Sequence, residues 1–182
     1  GKRGSVFDEA KLEWLNGLYI RELPPEHLFD RVLPFWERSG FVRPEELDGR
    51  RDWLLKLLEL LRERAKKLTD FAEGAEYFFR DPEDYDPQGQ RKHWKDRRQT
   101  AERLRLLRDR LAELEDFDET SVESATRGLA EELGISAAKL IHPTRLAVSG
   151  RTFGPGLFEM LALLGKETVL RRLDRAIEFL EG

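Results

Sequence analysis

Apolar positions recur at intervals of three and four along most of the chain, and nowhere do they alternate with polar ones for long enough to suggest a strand. The pattern predicts an all-α protein. Residues 7–16 place Leu12 and Leu15 at helical spacing, and Asn16-Gly17 is a stop signal, so a short helix is expected to end there. Pro24-Pro25 opens a second helix with the stripe Leu28, Phe29, Val32, Leu33 and Trp36, closing near Ser39-Gly40. The strongest signal spans 45–67, where Trp53, Leu54, Leu57, Leu58, Leu60 and Leu61 form one face. Arg62, Arg64, Lys66 and Lys67 crowd its last turns, where cations suit the helix dipole. Residues 69–79 continue as a short helix with Phe71, Ala72, Ala75, Phe78 and Phe79 facing inward. The run Asp81-Pro82-Glu83-Asp84-Tyr85-Asp86-Pro87 then breaks it, and we place a domain boundary in that loop.

Residues 91–115 read as a long helix carrying Leu104, Leu107, Leu111 and Leu114, with an almost wholly polar first half expected in solvent. Residues 120–133 follow, with Val122, Ala125, Leu129 and Leu133 in phase and Gly134 as the C-cap. A short helix over 136–147 is interrupted or restarted at Pro143, and 149–155 form a Gly-rich turn. Residues 156–164 and 166–180 close the chain as two helices hinged at Gly165. This gives two helical subdomains, 23–88 and 89–182, preceded by a segment 1–22, with no internal repeat or low-complexity tract.

The length of 182 residues admits one domain or two small ones, and 40% hydrophobic residues suffice for a core beneath a surface rich in charge. No cysteine is present, which removes disulfides, thiolate chemistry and Cys-rich zinc sites and fits a reducing compartment. No apolar run approaches membrane-spanning length and Gly1 to Phe7 lack a signal-peptide core, so a cytoplasmic protein is expected.

A net charge of −4 argues against coating nucleic acid through bulk charge, but the charge is segregated. Residues 70–88 carry −6, residues 91–110 carry +6 and residues 113–132 carry −7. The last two blocks can pair across a helical hairpin, or dock a partner, which makes a helical protein-interaction module the alternative function.

Usual catalytic signatures are absent: no phosphate-cradling Gly-rich loop, nucleophile elbow or zinc helix occurs. Asp81, Glu83, Asp84 and Asp86 resemble a calcium loop only superficially, because Asp86 occupies the place of its required Gly, so a solvated acidic loop is expected. His27, His93 and His142 have no metal-ligand spacing, and no metal is assigned.

The basic clusters admit two readings. Arg62, Arg64, Lys66 and Lys67 either complement a helix dipole or supply an Arg fork to a base edge. His142-Pro143-Thr144-Arg145 followed by Ser149-Gly150-Arg151-Thr152-Phe153-Gly154-Pro155 is either a plain interhelical turn or a place where a ligand approaches backbone donors beside a cation.

Three sets of residues carry a resemblance: Lys11-Leu12-Glu13-Trp14-Leu15-Asn16-Gly17 with Tyr19-Ile20-Arg21; Leu61-Arg62-Glu63-Arg64 with Leu68-Thr69-Asp70-Phe71; and His142-Pro143-Thr144-Arg145 with Gly154-Pro155-Gly156-Leu157-Phe158-Glu159 and Leu163-Leu164-Gly165-Lys166-Glu167. In this order they resemble the C-terminal, anticodon-binding part of bacterial glutamyl-tRNA synthetase. The resemblance implies a two-subdomain helical cage that grips the anticodon loop of tRNA(Glu), with residues 1–22 as the end of a stem-contacting domain. It implies that Arg64 reads the third anticodon base, and that Arg145, Gly154, Pro155 and Gly156 touch the anticodon. Arg62, Lys66, Lys67 and Arg151 are further candidate RNA contacts. Some family members have Thr at the place of Gly154, so backbone contact alone is expected there, and nothing is carried onto residues 81–95. The family's ATP-binding motifs are missing, which implies a tRNA-binding monomer with no catalysis and no cofactor of its own, ATP belonging to the catalytic domain of a longer enzyme.

Overall fold

A computed structural model describes the backbone of residues 9–182 and the side chains from Asn16 onward. Expectations that fall on residues 1–8 lie outside the described residues. Among these there are helices and turns and no strand, as the apolar spacing predicts. The chain divides between Phe79 and Arg80 into two compact units.

Unit 1 holds α1 (Glu9–Glu22), α2 (Pro25–Arg38), a 3₁₀ turn (Pro44–Glu46), α3 (Leu47–Arg62), α4 (Asp70–Glu73) and α5 (Glu76–Phe79). Helix α1 does not stop at Asn16-Gly17. Its end is clasped instead by Arg62, whose guanidinium donates to the carbonyls of Ile20, Arg21 and Leu23 and outweighs the roughly 1 kcal/mol cost of an internal glycine. Helix α2 begins at Pro25 and buries Leu28, Phe29, Val32 and Trp36 against Leu54, Leu57, Leu58 and Leu61 of α3. The Trp36 indole donates to the Phe71 carbonyl at 2.9 Å, and its ring meets Phe79 edge-on.

The 45–67 helix is shorter than expected. It ends at Arg62, because the Asp70 carboxylate takes the backbone N–H groups of Lys66 and Lys67 at 2.9 and 3.1 Å and draws those residues into a turn. The helix expected over 69–79 is likewise split at Gly74 and Ala75.

Unit 2 holds α6 (Pro87–His93), α7 (Arg97–Ala112), α8 (Glu119–Leu133), α9 (Ala138–Ser149), α10 (Leu157–Leu164) and α11 (Lys166–Glu181). The side chains of Asp86, Asp96 and Asp118 cap α6, α7 and α8 by accepting from the N–H of Gly89, Gln99 and Ser121. Gly134 ends α8 in the left-handed region at φ 66°. Helix α9 runs unbroken through Pro143, since its buried Leu140, Leu146, Ala147 and Val148 offset the lost hydrogen bond.

The long helix expected from residue 91 is two elements, and its polar front is not all in solvent: Trp94, Thr100 and Ala101 are buried. The charged blocks pair differently from the expected hairpin. Arg110 reaches Glu132 of α8, but Arg105 and Arg108 turn to Glu181 and Asp174 of α11, which packs along α7. The basic face of α7 is thus largely neutralised inside its own unit.

The acidic loop is not simply solvated. Asp81 accepts from Arg171 at 2.8 Å, Arg172 at 2.9 Å and Arg175 at 3.2 Å, so three cations of α11 close on one carboxylate. The Arg171 guanidinium, working against the cost of burial and joined by Arg172, holds that carboxyl well below the usual carboxylate range.

Candidate nucleic-acid interface

In unit 1 the cationic cluster separates into two parts. Arg62, at 9% exposure, has its guanidinium on three carbonyls and Glu59, so it is a clasp for α1. Arg64 follows in the turn after α3, its N–H held by the Leu61 carbonyl at 3.2 Å and its side chain exposed. Buried Ala65 pins this turn from below while Lys66 and Lys67 stand outward, fixed at the backbone by Asp70. Such a turn presents the Arg64 fork with little backbone freedom, as a base-edge contact needs.

A cavity of about 310 Å³ adjoins this turn, lined by Tyr19, Ile20, Leu23, Arg31, Lys67 and Leu68. Tyr19 is half exposed, with the Arg31 guanidinium 5.3 Å from its ring centroid. Sequence reasoning missed this aromatic and cation pair, whose members are twelve residues apart on different helices.

In unit 2 the second set of site residues gathers around the 149–156 turn. Arg145, half-buried on α9, donates to the Pro155 carbonyl at 2.6 Å and so ties helix to turn. The Ser149 hydroxyl donates to the Arg145 carbonyl at 2.7 Å and accepts from the Arg151 N–H at 3.1 Å. Gly150 caps α9 at φ 74°, and its carbonyl accepts from the Asp86 N–H at 2.9 Å. A Cβ there would lie 2.6 Å from the Asp84 carbonyl oxygen, so only glycine fits against the acidic loop. Gly154 adopts φ 145°, Pro155 is buried, and Gly156 starts α10 by accepting from the Met160 N–H.

Beneath the turn, Arg172 donates to the Val148 carbonyl at 2.6 Å while holding Asp81, so the acidic loop and α9 share one anchor. At the crest Phe153 is 69% exposed between Arg151 and Gly154. It is a flat apolar face two residues from Arg151, and its place in a Gly-rich turn signals that exposure in the sequence. His93 and His142, distant in sequence, stack with centroids 4.9 Å apart. Burial, then His142 and Lys92, hold the His93 imidazole below its ordinary range.

The family described as an anticodon binding domain matches residues 27–177. The glutamate–tRNA ligase 1 of Caldanaerobacter subterraneus subsp. tengcongensis is 41% identical over 99% of this chain, which spans 37% of that protein. The glutamate–tRNA ligase of Moorella thermoacetica is 42% identical over 98% of the chain and 36% of its own length. A crystal structure of a glutamate tRNA ligase from Elizabethkingia meningosepticum, in complex with its amino acid, superposes with a TM-score of 0.84 at 27% identity. It covers 96% of this chain, which spans 33% of that one. The chain therefore spans little more than a third of the curated relatives it matches. Among the described residues no helix is long and apolar enough to cross a membrane. Matched over most of its length by that family and throughout by these relatives, the chain belongs to the anticodon-binding domains of the kind carried by glutamate–tRNA ligases.

Proposed function

We propose that the chain is the tRNA-recognising part of a glutamate–tRNA ligase, acting on the anticodon loop of tRNA(Glu) as a monomer in the cytoplasm. Each unit supplies a surface: Arg64, with Lys66 and Lys67 beside it, in unit 1, and Arg145 with the Gly154, Pro155 and Gly156 backbone and neighbouring Arg151 in unit 2. Attachment of glutamate, and the ATP it uses, are assigned to the part of the longer relatives that this chain does not match, and no cofactor is assigned here.

The observation that carries the reading is the exposed Arg64 on a turn fixed by Leu61, Ala65 and Asp70, in a chain matched by an anticodon-binding family. An Arg so held can donate two parallel hydrogen bonds to one base edge, a contact worth about 1 to 3 kcal/mol of discrimination. The test is binding of the purified chain to two stem-loops that differ only in carrying the glutamate or the glutamine anticodon. The native chain should prefer the glutamate loop, and Arg64→Gln should erase roughly tenfold or more of that preference while leaving the melting temperature in place. Equal loss on both loops would sink the base-reading role of Arg64.

A further inference from the structure

Unit 2 neutralises most of its positive charge internally. Arg97 donates to the carbonyls of Phe179 and Leu180, Arg105, Arg108 and Arg110 pair with Glu181, Asp174 and Glu132, and three arginines of α11 close on Asp81. Four of the cations that remain are grouped. Lys92, Lys95, Arg103 and Lys139 line one open cleft of about 860 Å³, formed by the end of α6, the first half of α7 and the start of α9. Among the described residues no carboxylate pairs with any of these four. Asp96 is the one acid in the lining, and its carboxylate already accepts from the Gln99 N–H at 3.0 Å as the cap of α7.

Four like charges around one cleft repel one another, and in a chain of net charge −4 their grouping favours an anion between them. Three of the four are lysines, point charges on flexible stems that suit phosphate oxygens better than the planar edges an arginine fork matches. The cleft is far larger than a single phosphate, and its cations come from α6, the link between α6 and α7, α7 and α9, so the anion it fits is an extended chain of phosphates. Helix α9 connects it to the site already described: His142 lines the cleft, and Arg145, one turn on along the same face, touches the 149–156 turn.

We propose that the cleft of Lys92, Lys95, Arg103 and Lys139 holds consecutive phosphodiester groups of an RNA strand whose bases lie at the Arg145 turn. This rests on the reading of that turn as an anticodon contact and extends it from bases to backbone. Phosphate contacts position a strand and carry no sequence information, so the cleft acts identically on every sequence.

Fluorescence anisotropy with the 182-residue chain tests this on three probes: the glutamate stem-loop, the glutamine stem-loop and a short oligouridylate. The double variant Lys92→Ala/Lys139→Ala should weaken all three on the order of tenfold at low salt, and should flatten the slope of log affinity against log salt by about 1.4 for two lost contacts. Lys92→Arg/Lys139→Arg should restore affinity, and Arg105→Ala, already neutralised by Glu181, should change nothing. Oligouridylate binding that is absent in the native chain, or unmoved by the double alanine variant, overturns the cleft site. So does a loss confined to the glutamate stem-loop. If the native chain binds both stem-loops equally while oligouridylate still depends on Lys92 and Lys139, the base-reading surface is wrong and the cleft stands.

Discussion

Arg62 and Arg64 lie two residues apart in a run of cations, and burial assigns them different work. Arg62 continues the stripe of Leu54 and Leu58 at a spacing of four, so it enters the interior and finds the bare carbonyls at the end of α1. Arg64 falls past the helix end and stays in solvent. Replacing Arg62 by Met removes donors that nothing else supplies, and should cost about 2 to 4 kcal/mol in urea unfolding and speed amide exchange over Ile20 to Leu23. Arg62→Lys should recover little, because one ammonium cannot span three carbonyls. An unchanged urea midpoint for Arg62→Met would refute the clasp. The stripe that separates the two arginines is visible in the sequence. What is not visible is the set of carbonyls 39 to 42 residues away that makes a buried guanidinium tolerable.

Elements were legible where a local signal decides them. Pro25 starts α2, Asp118 caps α8 and Gly134 closes it within a residue or so of the apolar pattern's edge. Ends were lost where a distant group competes for the backbone, as Arg62 does at α1 and Asp70 does after α3. The 149–156 turn shows the same division, because its glycines announce a turn but not what presses on it. Gly134 and Gly150 have nearly equal φ, 66° and 74°, yet a Cβ at Gly134 meets nothing within 4 Å while one at Gly150 strikes the Asp84 carbonyl. Gly134→Ala should therefore cost only the left-handed strain, about 1 kcal/mol, whereas Gly150→Ala should cost more and also weaken stem-loop binding by shifting the turn. Thermal unfolding of the pair beside one affinity measurement checks this, and equal costs would mean that the acidic loop yields freely. The acidic loop itself was the larger misreading. Its charge density suggested solvent, but the partners of Asp81 lie 90 or more residues further on.

At the scale of the molecule, composition and periodicity announced helices, and the conspicuous charge blocks were the poorest guide to association. Within the 91–110 block Arg97, Arg105 and Arg108 are taken up by α11 and Arg110 by α8, whereas Lys92, Lys95 and Arg103 join Lys139 in a cluster that shows only once the fold brings α6, α7 and α9 together. The Asp81 cluster makes unit 2 sensitive to acid in a definite direction. Its folded carboxyl is depressed, so its contribution is complete above the ordinary carboxylate pKa of about 3.9 and is lost as pH falls toward the folded value. Asp81→Asn should melt lower than the native chain at pH 7, by on the order of 5 °C, with the gap closing below about pH 4. Melting curves that stay equally far apart at low pH would contradict it.

The same cluster bears on the order in which the protein is made. In unit 1 the Arg62 clasp reaches across about 42 residues, and both of its sides are available well before Phe79 has been synthesised. Asp81 must wait for Arg171, Arg172 and Arg175, and Arg97 must wait for Phe179 and Leu180. On a ribosome the first unit can therefore close while the second is still an open chain, and the surface around Arg145 takes shape only when the residues near position 180 have emerged.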